Sequence, residues 1–307
     1  MNNHADNTSD FLHMLWRINR RCNFRCAYCF RPGVNECQFE EHPDCRKHSA
    51  QFIAEAFQKT GHPWRIHLTG GEPFLYPGFT GLLAELQKCN EISINTNLSQ
   101  SIKPFIGQID PGKIYAINAT AHIAELEGKC GGTEPFVRRV LQLQDSGFYV
   151  QVFLISYPPE LPQLAALIED IRKLGVQRVS VKIFRGDYAG KLYPGAFTGA
   201  ERRRISAFGL SPYEEAILAD RINFSGRLCD AGHNAFNMDV SGHVTRCSTM
   251  TESCGNLFDG TFRPGPSSQH CPARHCVCPY QGLKFSQETG KPLRRAFSFR
   301  QLCRRLR

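Results

Sequence analysis

Hydrophobic and polar positions along the chain alternate between two rhythms. Short runs rich in β-branched and aromatic residues recur as LWRI (15–18), RIHLT (65–69), EISINTN (91–97), KIYAINA (113–119), FYVQVFLI (148–155) and RVSVKIF (178–184). Each has the length and composition of a strand in a buried parallel sheet. Between them the apolar positions take up the helical period. SAQFIAEAFQKTG (49–61) stops at Gly61, FTGLLAELQKC (79–89) comes next, and TEPFVRRVLQLQDSG (133–147) carries Thr133 where an N-cap is expected. LPQLAALIEDIRKLG (161–175) has Pro162 near its start and Gly175 at its end.

Strand–helix units in succession predict parallel strands with right-handed crossovers, over residues 12–184. This α/β pattern suits either an open doubly wound sheet or a partial barrel, and the alternation alone does not choose. The residues just past each strand are more telling, because chemistry in such folds collects beyond the C-terminal strand ends. The first strand leads into Cys22, Cys26 and Cys29, and the second into Gly70-Gly71-Glu72-Pro73. The third closes on Asn95-Thr96-Asn97 and the fourth on Asn118-Ala119-Thr120. Those groups are expected at one rim.

Residues 185–228 change character: glycine-rich, then basic at ERRR, then helix-like over SPYEEAILADRINF, and they read as a connector. Residues 229–285 are rich in cysteine and loops, with a hairpin predicted to turn at Ser241-Gly242. A segment this short builds little apolar core, so a metal group is expected to cross-link it. Residues 286–307 form a basic tail.

Composition adds less. Of 307 residues, 41% are hydrophobic and 21% charged, a globular balance. No apolar run approaches a membrane span, and the polar start MNNHADNTSD is unlike a signal peptide, so a cytoplasmic protein without membrane contact is expected. The net charge of +9 is concentrated at the end: Lys291 to Arg307 holds seven basic and no acidic side chains, leaving +2 for the rest. The expected reading of this tail is a solvated surface helix, with an acidic partner as the alternative and nucleic acid disfavoured.

The fourteen cysteines are informative through their spacing. In a chain of this kind clustered cysteines point to metal or catalysis before disulfides. Cys37, Cys45, Cys89, Cys130 and Cys303 are scattered and read as packed thiols. CNFRCAYCF (22–30) is a C-x-x-x-C-x-x-C array. Three thiolates on one loop can hold three irons of a four-iron cluster and leave the fourth open to an amine and a carboxylate. Zinc is the alternative, closed by His42 or His48.

The cysteine loop after the first strand, with GGEP after the second, resembles the radical S-adenosylmethionine superfamily over residues 12 to 184. The resemblance implies a partial (β/α)6 TIM-like barrel. It implies that Cys22, Cys26 and Cys29 bind a [4Fe-4S] cluster whose open iron holds the methionine end of S-adenosylmethionine. Gly70, Gly71 and Glu72 are then expected to receive the methionine amine, and Tyr28 to lie against the adenine. Asn95, Asn97 and Thr120 are expected at the ribose or the methionine carboxylate. The implied chemistry is reductive cleavage to a 5′-deoxyadenosyl radical, which takes hydrogen from an unactivated carbon, with the electron supplied by a flavodoxin or ferredoxin.

The segment from Cys229 has twelve residues before Gly242 and four more before Cys247, then Cys-Gly-Asn at 254 and CPARHCVC at 271–278. It resembles the small cysteine-rich SPASM/twitch extension of one branch of that superfamily. The later part of the full SPASM array is absent, which implies one auxiliary iron–sulfur cluster. Cys229 and Cys247 are its expected ligands, with two of Cys271, Cys276 and Cys278, and zinc is again the alternative. Cys254 is expected to be left over, either as a spare thiol or as the catalytic donor that returns hydrogen to a substrate radical. His233, His243, Asp187, Tyr188 and Tyr193 fall on loops able to face a substrate.

Two substrate classes compete. The leading expectation is epimerisation or dehydrogenation of a small polar metabolite of the amino sugar or cyclitol type, favoured by the short chain, the single auxiliary cluster and Cys254. The alternative is a ribosomally made peptide, crosslinked or epimerised; many such enzymes carry a leader-binding domain, for which no room is seen before the first strand. A non-catalytic zinc or electron-transfer protein is the reading from another class, and GGEP argues against it.

Overall fold

The computed structural model describes residues 11–29 and 47–274. All six predicted strands are present: β1 (Leu12–Asn19), β2 (Trp64–Gly70), β3 (Glu91–Thr96), β4 (Ile114–Thr120), β5 (Val150–Ile155) and β6 (Val179–Lys182). They pair in chain order and in parallel. The helices α1 (Ala50–Gln58), α2 (Phe79–Leu86), α3 (Lys103–Gln108), α4 (Ile123–Cys130), α5 (Glu134–Asp145) and α6 (Leu164–Lys173) supply the crossovers. Here α3 and α4 are additions to the predicted set, each too short to show a clear period in sequence. Thr133 precedes α5 as expected, but its side chain makes no capping hydrogen bond.

The strands alternate more strictly than a sheet buried on both faces requires. Trp64, Ile66 and Leu68 of β2, Ile92 and Ile94 of β3, and Val150, Val152 and Leu154 of β5 are buried against the helices. The residues between them are polar except Phe153, and they meet one another across strands on the opposite face. Arg65 binds Glu91 at 2.7 Å. His13 Nδ1 lies 3.2 Å from His67 Nε2, and His67 Nδ1 lies 2.7 Å from Ser93 Oγ. Asn118 donates to Asn95 at 3.0 Å, and Gln151 donates to Ser180 at 3.0 Å. Lys182 lies over the Phe153 ring, 3.9 Å from its centroid. A polar inner face suits a partial barrel with a polar lumen, whereas a doubly wound sheet covers both faces with helices.

The predicted connector is structured. It contains a hairpin of β7 (Gly186–Tyr188) and β8 (Lys191–Tyr193), then α7 (Gly199–Ser206) and α8 (Pro212–Leu218). Thr198 and Glu201 form a reciprocal capping box at α7, which fixes that helix start. Beyond it lie β9 (Leu228–Cys229), β10 (Ala235–Met238), β11 (His243–Thr245), β12 (Ser253–Asn256) and β13 (Gln269–His270). The hairpin predicted at Ser241-Gly242 is β10–β11.

The cysteine-rich segment is not a separate bead. Strand β10 pairs in parallel with β1, His13 opposite Ala235 and Trp16 opposite Met238. One nine-stranded sheet results, in the order β12-β11-β10-β1-β2-β3-β4-β5-β6. Trp16 strengthens the seam, its indole N–H donating to the Asp239 carbonyl at 3.2 Å. Among the described residues no helix is long and apolar enough to cross a membrane. The basic tail, Cys37, Cys45, His42, Cys276, Cys278 and Cys303 lie outside the described residues.

Candidate functional site

The rim expected from the sequence is assembled at the C-terminal ends of β1 to β4. Glycines 70 and 71 set it. A Cβ on Gly71 would stand 1.9 Å from the Arg21 carbonyl oxygen, and one on Gly70 would stand 2.5 Å from that of Asn19. Gly70 also has φ of +139°, which L side chains rarely adopt. The turn therefore presses directly on the backbone that leads into Cys22. Hydrogen bonds close the contact: Gly71 N–H donates to the Asn19 carbonyl at 3.0 Å, and Glu72 N–H to the Arg21 carbonyl at 2.7 Å. The Asn19 amide returns a bond to the Glu72 carbonyl at 2.9 Å.

The Glu72 side chain points into the protein and is 1% exposed. It accepts from Thr96 Oγ1 at 2.7 Å, from Asn97 N–H at 2.7 Å and from Phe74 N–H at 3.1 Å. Burial pushes its carboxyl up to about 7, against those three donors. The carboxylate thus joins the ends of β2 and β3 and is turned away from the rim. Asn97 is similarly engaged. Its side-chain oxygen accepts from Ser99, and its amide donates to Asn23 at 3.1 Å and approaches Cys22 Sγ at 3.9 Å. Asn95 accepts from Asn118, and Thr120 closes β4 half-buried.

The cysteine loop is held from several sides. Phe24 is buried beneath it, edge-on to His122. Asn23 donates to Ser99 at 2.8 Å, and Lys129 of α4 donates to the Asn23 carbonyl at 3.1 Å. Cys29 N–H bonds the Cys26 carbonyl at 3.0 Å, which turns the second and third thiols back together. Cys22 Sγ accepts from Phe24 N–H at 3.4 Å. Burial raises the Cys22 and Cys26 thiols, and each is raised further by its neighbouring cysteines. Such a set is poorly suited to stand as bare thiolates and well suited to cationic iron, which ligates the deprotonated form.

Among the described residues no three His, Cys, Asp or Glu side chains converge as on a single metal ion. A cluster asks for a different arrangement, with one thiolate per iron. His48, a possible zinc ligand on sequence, stacks instead on Phe52 with ring centroids 4.4 Å apart.

Tyr28 forms the roof of the loop. Its hydroxyl lies 3.1 Å from His122 Nδ1, and its ring meets Tyr157 at 4.8 Å. Burial pushes the phenol up and holds His122 down at about 4, so both are neutral. Tyr157 continues to Tyr188 on the β7–β8 hairpin at 5.3 Å. Of the loop residues expected near a substrate, Tyr188 reaches the rim. Tyr193 packs away between Phe184 and Phe197, and His233 is tied to the Gly265 carbonyl at 2.7 Å. Asn19, Thr96, His122 and Tyr157 carry no motif that marks them in the sequence; the polar positions interrupting each strand end are the available signal.

The second thiol group lies beyond β1. Cys229 and Cys271 are buried on the β9–β13 ribbon. Gln269 pairs with Cys229, so Cys271 lies two residues further on the same face, a diagonal neighbour of Cys229. Cys247 follows β11 in a tight turn, and its Sγ accepts from Thr249 N–H at 3.4 Å and Met250 N–H at 3.2 Å. Two main-chain N–H groups are thus aimed at this sulfur. Cys254 sits in β12 at a register shift opposite β11, beside Gly255 with φ of +93°. Strand β12 is third out from β1, roughly 14 Å by ordinary strand spacing. Cys254 thus belongs to the outermost strand of the module.

Residues 16–189 match the family described as the Radical SAM superfamily. AlbA, the antilisterial bacteriocin subtilosin biosynthesis protein of Bacillus subtilis (strain 168), is 21% identical over 304 residues, covering 91% of this chain and 64% of AlbA. The chain therefore spans less than two thirds of that relative's length. Among solved structures, Streptococcus suis SuiB bound to S-adenosylmethionine gives a TM-score of 0.57 at 15% identity, over 81% of this chain and 64% of SuiB. The protein anSMEcpe with bound AdoMet and Kp18Cys peptide gives 0.57 at 13% identity, over 82% of this chain and 81% of that one. These two likenesses show a shared fold, the partial barrel.

Proposed function

The chain belongs to the radical SAM superfamily, and from that premise we propose that it is a peptide maturase, which removes hydrogen from a ribosomally made peptide to crosslink or epimerise it. The family's cofactors are a [4Fe-4S] cluster and S-adenosylmethionine, and relatives with the SPASM extension carry auxiliary clusters. When bound, they supply one-electron cleavage of the cofactor and a carbon radical that takes hydrogen from C–H bonds.

Cys22, Cys26 and Cys29 hold the first cluster. Gly70, Gly71 and the main chain of Glu72 receive the methionine amine, while the Glu72 carboxylate keeps Asn97 in place. Tyr28 covers the adenine, its ring fixed by His122 and Tyr157, and Asn95 and Thr120 face the ribose or carboxylate. Cys229, Cys247 and Cys271, with one of Cys276 and Cys278, hold the auxiliary cluster. A flavodoxin or ferredoxin supplies the electron.

The observation that carries the peptide reading is the AlbA likeness, which runs through barrel and module alike over 91% of the chain. The small-metabolite reading leaned on Cys254 as hydrogen donor, a residue of β12, the outermost strand on that side of the sheet. The polar lumen suits a peptide main chain, whose amides need partners wherever water is displaced.

The test is anaerobic reconstitution, with iron counted, followed by reductant, S-adenosylmethionine and a panel of cysteine-containing peptides. The expected result is 5′-deoxyadenosine formation lost in Cys26→Ala, and a peptide product lighter by a hydrogen pair or carrying one solvent-derived deuterium. Turnover of a cyclitol or amino sugar with every peptide untouched would sink the proposal.

A further inference from the structure

Arg246 is 7% exposed and lies where the cysteine-bearing segments of the module meet. Its Nε donates to the Ala231 carbonyl at 3.1 Å, two residues after Cys229. Its Nη2 reaches the His270 carbonyl at 3.5 Å, immediately before Cys271. Its own main chain leads into Cys247, and its N–H donates to the Glu252 carbonyl at 2.9 Å, two residues before Cys254. Arg246 thus adjoins all four cysteine segments described in the module, its guanidinium bonding those of Cys229 and Cys271 and its main chain those of Cys247 and Cys254. The fit is close: a Cβ on Gly232 would stand 2.9 Å from Arg246 Cγ, so glycine there lets the arginine stem lie flat.

Among the described residues the charge on this side chain has one ion-pair partner, and a distant one. Its carboxylate partner, Glu252, stands 3.7 Å away with a side chain 59% exposed, a long contact screened by water. Carbonyl oxygens satisfy the N–H groups but carry no net charge. A buried cation without a close counter-ion is costly, and such groups are found paired. A cluster held by thiolates is anionic, and more so when reduced. The cleft bordered by Leu15, Ala231, Asn237, Arg246 and Cys247 sets this cation on the flank of β1, beside the barrel.

We propose that Arg246 is the positioning residue and buried counter-ion of the auxiliary cluster, holding its ligand segments together and stabilising its reduced form. The inference rests on the two-cluster reading above. Positive charge near the cluster favours the more negative oxidation state, so Arg246 raises the reduction potential of that couple. Glu252 opposes it weakly. At the Cys254 thiol, which burial and then Glu252 raise, Arg246 acts in the opposite sense and lowers it.

The experiment is an anaerobic redox titration of the reconstituted full-length protein, followed by electron paramagnetic resonance, on wild type, Arg246→Met, Arg246→Lys and Glu252→Gln. In Arg246→Met the auxiliary couple is expected to move to lower potential while the first cluster's couple stays in place, and Arg246→Lys to restore much of the shift. Glu252→Gln is expected to move the auxiliary couple the other way, by less. This variant keeps the test decisive if Arg246→Met fails to load its cluster, since a purely structural clamp predicts no shift from Glu252→Gln. Two clusters in wild type with an auxiliary couple unmoved in Glu252→Gln, and unmoved in Arg246→Met where that variant loads, overturn this inference alone. A single cluster in wild type overturns the two-cluster reading with it.

Discussion

The main-chain N–H of Asn97 donates to the Glu72 carboxylate across 2.7 Å, which fastens the turn after β2 to the end of β3 beneath the cysteine loop. The bond accounts for an acidic residue in that turn without any contact between its side chain and a ligand. Glu72→Gln would place an amide N–H against one of the three donors, since only one of its two side-chain heteroatoms accepts. The expected cost is about 1–3 kcal/mol. It is read as a lower urea midpoint of the apo-protein, with a loss of S-adenosylmethionine affinity greater than that of Glu72→Asp.

Gly71→Ala meets the Arg21 carbonyl at 1.9 Å and must displace the backbone entering Cys22. A destabilisation of about 3 kcal/mol is expected, together with loss of the first cluster's iron after reconstitution. Gly81→Ala is the control. It lies exposed in α2 with nothing within 4 Å of its Cβ, and the change should stabilise by about 0.5–1 kcal/mol. Equal effects from the two substitutions in thermal melts would contradict the packing argument.

Burial holds the imidazoles of His13 and His67 neutral, His13 down to about 3 and His67 well below 6.5, with the Arg65 charge adding to both. The unfolded chain takes up protons below about 6.5 that the folded chain refuses. The stability is therefore fully present above that pH and is lost as pH falls toward the folded values. Urea melts of the apo-protein should show a midpoint falling between pH 7 and pH 5. His67→Asn should flatten that slope in part; His13 and His122, which burial lowers to about 4, carry more of it, and Glu72 and Glu160, which burial raises to about 7, oppose it by binding protons in the folded state.

Cys247→Ser should lose the auxiliary cluster's iron, because its thiol sits on two main-chain donors in the turn after β11. Cys254→Ser should leave 5′-deoxyadenosine formation and solvent-deuterium incorporation into the peptide unchanged. Disappearance of the deuterated product in Cys254→Ser alone would restore the hydrogen-donor role.

Much of the fold and of the rim is legible in the chain. Six strands and the positions of Cys22, Cys26, Cys29 and the Gly70-Gly71 turn come from local signals, which survive because tertiary contacts agree with them. A signal for the barrel over the open sheet lay in the polar positions within the strands: His67, Ser93, Asn118 and Gln151 each sit between apolar residues, the mark of strands with one polar face. The role of Glu72 was hidden because its partners Thr96 and Asn97 come from another strand, and no spacing rule links residue 72 to residue 97. The pairing of β10 with β1 was hidden for the same reason, more than two hundred residues separating His13 from Ala235.

That pairing fixes how the chain can be divided. A cut before Cys229 would strip β10 from β1 and leave the flank of β1 with unanswered N–H and C=O groups, a template for association between copies. The barrel and the cysteine-rich segment are therefore bound to travel as one unit through any transplantation of parts. The gap between the cysteine loop and Cys247 is gauged by hydrogen-bonded strands and not by a tether, and electron tunnelling, which decays steeply with distance, inherits that constancy.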